Sequence, residues 1–153
     1  MSDPERVWFR LMRLDARIRL AITARLKDVG LSVAQCDVLT TLTEREGMSQ
    51  QELAQRLYVT KGNISGLIDR LEAAKLVERR SIASDRRSHA IHLTPEGRTA
   101  AAAGIKAQRV FVGDSLGVLG AGELVELERL ILKLRDRVRY LQQGVRPQEE
   151  SAA

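Results

Sequence analysis

Between Met48 and His92 two short helical patterns, two strand patterns and a charged turn follow one another with almost no linker, and so dense a succession can fold in few ways. Ser49 stands three residues before Glu52, the spacing of a reciprocal capping box, and Leu53, Ala54 and Leu57 then supply an apolar stripe. Tyr58 and Val59 make a turn. Thr60 opens a second helix whose Ile64, Leu67, Ile68 and Leu71 recur at i, i+3, i+4 and i+7, so one face packs inward. The other face shows Lys61, Gly62, Asn63, Ser65, Gly66, Asp69 and Arg70. Small polar and basic groups near a helix N-terminus suit close approach to a phosphate backbone and hydrogen bonding to base edges in a major groove.

After Lys75 the period shortens: residues 77–82 and 89–93 alternate on either side of Ala83, Ser84, Asp85, Arg86, Arg87 and Ser88. This predicts a hairpin with a basic tip, and a hairpin after two such helices is a winged helix-turn-helix. The segment resembles the multiple-antibiotic-resistance-regulator (MarR) family of bacterial transcription factors. Matching pieces occur in order: Leu31-Ser32-Val33-Ala34-Gln35 with Val38-Leu39, Gln51-Glu52-Leu53-Ala54, Ile68-Asp69-Arg70-Leu71-Glu72, Leu76-Val77, Asp85-Arg86-Arg87 and Leu93-Thr94-Pro95-Glu96-Gly97. The ordered set is specific, although Cys36 stands where the family usually has an aromatic residue and Gly66 where it often has a larger polar or basic one.

A division of labour follows for a DNA duplex. Thr60, Lys61, Asn63 and Ser65 lie where a major-groove helix presents side chains to base edges, and Asn63 is able to hold an adenine by two hydrogen bonds. Arg70, further along, meets phosphate or pairs with a local acid. Asp85 is placed to hold an arginine. The resemblance implies that Arg87 enters the minor groove, with Arg86 and Ser88 beside the backbone.

The net charge of +5 agrees with a polyanionic partner, and the basic excess sits in the first helix and the winged segment. With aromatics at 3% against 44% hydrophobic residues the core is aliphatic, which argues against stacking platforms for single-stranded nucleic acid. No apolar run is long enough to span a bilayer, and residues 1–6 read as no secretory leader, so a cytoplasmic protein with no membrane partner is expected. One cysteine permits no intrachain disulfide.

Upstream, Val7, Leu11, Leu14, Ile18, Ile22 and Leu26 recur at helical spacing from Pro4 towards Gly30. Arg6, Arg10, Arg13 and Arg17 share a side of that helix, either as a solvated face or as an anion-binding surface. In the resembled family this helix borders a pocket between the dimerisation and DNA-binding regions, which makes Arg10, Arg13 and Arg17 candidates to meet an anionic aromatic or acyl effector. Ser32 caps the next helix, which runs to about Arg45 with Gly47 at its C-cap and Val33, Cys36, Leu39 and Leu42 on its apolar side. Cys36 therefore points inward as a small hydrophobe or, less simply, contributes to effector or redox sensing; family members that sense oxidants do so through a cysteine nearer the N-terminus.

His89 and His92, three apart on a strand, face opposite sides, so no metal site is expected; one imidazole lies near phosphate. No nucleophile with its base, no phosphate loop and no paired acids are present, which points away from an enzyme and from any cofactor. Thr94 caps a connector helix with Pro95 in its first turn, and Gly113, Gly117, Gly120 and Gly122 mark a break before Glu123. Beyond it Leu124, Leu127, Ile131, Leu134, Val138 and Leu141 form a heptad seam.

These features predict an α+β, mostly helical protein. Residues 31–104 form the winged module, 1–30 and 105–143 a helical dimerisation region, and 144–153 a polar, disordered tail. The end helices either pack on each other within one chain or intertwine in a homodimer, which the resemblance favours. The expected function is a repressor that binds a pseudo-palindromic operator and is released by a small-molecule effector. The competing reading is a protein-interaction or redox-sensing module that uses the heptad helices or Cys36 without sequence-specific DNA binding.

Overall fold

The computed structural model describes residues 3–144, with the side chains of Asp85 and Arg86 and the features of Gly144 beyond its backbone left outside. The expected disordered tail, 144–153, thus lies outside the described residues save for the helical backbone of Gly144. Helices α1 (Pro4–Lys27) and α2 (Val33–Glu44) precede strand β1 (Met48–Ser49), and α3 (Gln50–Leu57) and α4 (Lys61–Ala73) follow it. Strands β2 (Val77–Ile82) and β3 (Asp85–Leu93) then lead to α5 (Pro95–Leu116) and α6 (Ala121–Gly144). The predominantly helical α+β architecture expected from the sequence is what folds.

Local chemistry sets most boundaries. Ser49 and Glu52 form the reciprocal box at the start of α3, with the Glu52 amide donating to Ser49 Oγ over 3.1 Å and the Ser49 amide to Glu52 Oε2 over 2.8 Å. Ser32 and Gln35 do the same for α2. Thr60 Oγ1 accepts from the Asn63 amide at 3.3 Å and so opens α4. At the turn between α3 and α4, Tyr58 adopts φ 54°, a left-handed conformation that a side chain tolerates at a cost.

Three details depart from the sequence reading. Gly47 is not the C-cap of α2, a place Arg45 takes; its φ of 79° instead turns the chain so that its amide donates to the Ile91 carbonyl at 2.9 Å. Residues 48–49, read only as a helix start, also pair with β3. The glycine break is shorter than expected, since α5 continues through Gly113 to Leu116 and α6 begins at Ala121.

The chain divides into two compact units, residues 1–111 and 112–153. In the first, Leu26 of α1, Cys36, Val38, Leu39 and Leu42 of α2, Leu53 of α3, and Ile64, Ile68 and Leu71 of α4 join Val77, Ile91 and Ala101 in one buried cluster. Each large aliphatic side chain placed there stabilises the fold by about 1.5–3 kcal/mol. The sheet order is β1-β3-β2, all antiparallel, so β3 is the centre strand. In the second unit, α6 carries its heptad seam in the open: Ile131 is 55% and Leu134 56% exposed.

Candidate nucleic-acid interface

Because α4 buries Ile64, Leu67, Ile68 and Leu71, its remaining side chains face away from the core. Lys61, Asn63 and Arg70 are exposed and Ser65 is half-buried. The Arg70 side chain makes no hydrogen bond or ion pair among the described residues, which leaves its guanidinium available to a partner outside the chain. Thr60 spends an oxygen lone pair on the cap and keeps its hydroxyl proton to donate.

The wing reaches the same face through an irregular register. Ser81 pairs with His89 and the next residue, Ile82, with Asp85, so residues 86–88 have no opposite number in β2. Such a bulge re-aims side chains at a strand end, here Arg87 and Ser88. Arg87 and Ser88 line a cleft of about 410 Å³ together with Lys61 from α4 and Gln50 and Gln51 from α3. The side chains of Asp85 and Arg86 lie outside the described ones, and the expected clamp by Asp85 with them. Asn63 and Arg70 line a second open cleft, about 370 Å³, with Val59, Gly62 and Gly66.

Arg79, which the sequence did not single out, ties these elements together. From β2 its Nε donates to Gln50 Oε1 of α3 at 2.8 Å, and its terminal nitrogens meet Asp69 at 2.6 Å and Glu72 at 3.3 Å on α4. The Arg79 side chain is 20% exposed, whereas Asp69 is 63% and Glu72 44% exposed, so water reaches the acid side of both ion pairs. Its partners are scattered along the chain, which is why no local pattern marks it. Arg80 pairs with Glu78 on the same strand. His89 lines the first cleft, with Nδ1 buried and without a hydrogen-bond partner among the described residues. His92 sits instead beside Glu46, 3.8 Å away.

Glu46 clasps the root of α5: its carboxylate accepts from the Leu93 amide at 2.8 Å and from Arg98 at 3.0 Å through both oxygens. The candidate effector residues are not gathered. Arg10, Arg13 and Arg17 are exposed on α1 and make no described hydrogen bond or ion pair, whereas Cys36 is fully buried against Gly104 and Leu31. Burial pushes the Cys36 thiol up, against a smaller downward pull from the Thr40 hydroxyl, so the neutral form is favoured.

The fold finds its counterparts in known proteins. A family model described as MarR family matches residues 29–88. The transcriptional activatory protein BadR of Rhodopseudomonas palustris is 30% identical over 94% of this chain and 85% of its own length. The chain belongs to the MarR family. It is thus one of a family of DNA-binding transcriptional regulators rather than of enzymes. Among solved MarR-like structures, the transcriptional repressor CouR bound to a 23-mer DNA duplex is 30% identical, with a TM-score of 0.76 over 83% of this chain and 90% of that one. AbsC, a MarR family transcriptional regulator from Streptomyces coelicolor, is 25% identical with a TM-score of 0.82, covering 91% and 97% of the two chains. Among the described residues no helix is long and apolar enough to cross a membrane.

Proposed function

We propose that the protein is a cytoplasmic repressor that binds a pseudo-palindromic operator as a homodimer and is released by an anionic aromatic or acyl ligand. The observation that carries DNA binding is the cleft uniting Lys61 of α4 with Arg87 and Ser88 of the wing. A helix seated in the major groove and a wing tip in the neighbouring minor groove then engage one duplex together, Thr60, Lys61, Asn63 and Ser65 facing bases and Arg70, Arg86 and Ser88 facing phosphates. CouR, a repressor seen on DNA, supports that reading.

Dimerisation is supported by the apolar seams of α1 and α6, where Val7, Leu14, Ile131 and Leu134 stand open to solvent. A two-fold pair of winged modules requires half-sites related by the same symmetry. An effector is supported by Arg10, Arg13 and Arg17, whose guanidinium groups are exposed and have no partner among the described residues. Cys36 enters only as part of the apolar wall near α5. Repression is the simplest consequence of occupying a promoter; BadR bears the name of an activator.

The test is a gel shift with DNA flanking the protein's own gene, paired with a reporter driven by that promoter. Binding together with higher reporter output on deletion of the gene is the expected result. Lower output on deletion overturns repression, and no shift by the full-length protein overturns operator binding at that locus.

A further inference from the structure

The cleft between α3, α4 and the wing holds a polar atom that the chain itself leaves unanswered. His89 stands on β3 opposite Ser81 of β2, and its imidazole lines the cleft with Lys61, Arg87 and Ser88. Its Nδ1 is buried and has no hydrogen-bond partner among the described residues. A buried polar atom left unpaired costs stability, so one on a ring in the wall of an open cleft points to a partner that arrives from outside. The surrounding charges give the sign of that partner. Lys61 faces the cleft from α4 and Arg87 from β3, while the start of α3 contributes only the neutral Ser49, Gln50 and Gln51. On β2, Arg79 shares the face of Ser81 and His89, but its charge is already met by Asp69 and Glu72. None of the described residues lining the cleft is acidic, and the side chains of the neighbouring Asp85 and Arg86 lie outside the described ones. A phosphate suits this setting, being compact, anionic and rich in acceptor oxygens.

We infer that the cleft seats a backbone phosphate of the bound duplex and that His89 meets it as an imidazolium, so that DNA binding takes up a proton from solvent and strengthens as the pH falls. The inference rests on the reading of this cleft as the surface that faces DNA. A protonated imidazole donates through both nitrogens and adds a charge, whereas the neutral ring has one donor and no charge. A complex that holds more protons than its free components is favoured where protons are plentiful, which fixes the direction of the effect. Because the contact is to the backbone, it acts on any base sequence. Imidazole is the side chain that ordinarily changes charge between about pH 5 and 8, and the chain has two; His92 lies on the opposite face of the sheet, beside Glu46.

The test is a titration of the full-length protein, at fixed salt and at about pH 7.5 and about pH 5.5, onto a duplex that the wild type selects from a random-sequence library and onto a scrambled duplex. Expected for the wild type is an affinity at least about fivefold tighter at the lower pH on both duplexes. His92→Gln keeps that gain, and His89→Gln reduces it to less than about twofold. A wild type with no gain, or a gain that persists in His89→Gln, would overturn the inference. Should His89→Gln fold poorly, NMR of the wild-type imidazole C–H signals takes its place: the His89 ring is expected to take its proton at higher pH with the duplex bound than without, and an unmoved titration overturns the inference equally. Failure of the wild type to bind either duplex at either pH would instead overturn the reading of the cleft on which it depends.

Discussion

Replacing Gly104 by Ala should strain the contact between α5 and α2, and removing the Cys36 sulfur should relieve it. A Cβ at position 104 would lie 2.7 Å from Cys36 Sγ and 3.1 Å from Leu31 Cδ1. The first distance is about 1 Å inside the optimum for non-bonded heavy atoms, and overpacking of this kind costs about 1–3 kcal/mol. Alanine returns about 1 kcal/mol through helix propensity. Gly104→Ala alone is therefore expected to cost about 0–2 kcal/mol. Cys36→Ala alone removes one buried heavy atom and costs about 1 kcal/mol in transfer and cavity. In the double variant the new methyl occupies the space the sulfur leaves, so stability returns to within about 1 kcal/mol of wild type. Urea unfolding at one fixed protein concentration reads the cycle, because an assembling protein's stability depends on concentration. Losses that add to within about 0.5 kcal/mol would refute the contact as described. The wild-type protein should bind DNA with the same affinity under oxidising and reducing conditions, and Cys36→Ala should leave that affinity unchanged, as befits a buried thiol held neutral.

Arg87→Ala should weaken binding to preferred and scrambled DNA alike and flatten the salt dependence by about one unit of log-log slope; Asn63→Ala should cost about 1–3 kcal/mol on the preferred site and much less elsewhere. Titrations of both variants across a salt series check this, and equal, sequence-independent losses would remove α4 as the reader. Ile131→Glu places a charge in the seam of α6 and should raise the dimer dissociation constant at least about 30-fold, equivalent to about 2 kcal/mol, in sedimentation equilibrium; a wild type that is monomeric at micromolar concentration would contradict it. Changing Arg13 and Arg17 together to Gln should blunt the response of DNA binding to anionic aromatic or acyl ligands more than it changes DNA affinity itself. If no such ligand raises the Tm of the wild type, the arginines are a solvated face, since any ligand favouring the folded state must stabilise it.

The helices were legible in the sequence because their signals are local. The Ser49 and Glu52 box, the Thr60 cap and the spacing of Ile64, Leu67, Ile68 and Leu71 each act within one or two turns and fold as read. Cys36 likewise falls inward with Leu39 and Leu42. What escaped depends on pairing at a distance. β1 has only two residues, too few for alternation to show, and the bulge at residues 86–88 is a property of register between two strands. Gly47 looked like a helix stop because a left-handed glycine there usually is one, yet its amide is needed by Ile91, far along the chain. Lys61, Arg87 and Ser88, which line one cleft, could be singled out from the sequence, whereas the Arg79 tie that spaces helix and wing could not.

The sheet order has a consequence for crowding. With β3 in the centre, both outer strands offer unpaired backbone groups, and exposed strand edges invite sheets on separate molecules to merge. On one side the edge is only Met48 and Ser49 long, too short to template a neighbour. On the other, β2 carries Glu78, Arg79 and Arg80 among its six residues, and charges so closely set oppose a second strand laid alongside. Winged modules brought close together on one duplex can therefore stand side by side without their sheets merging.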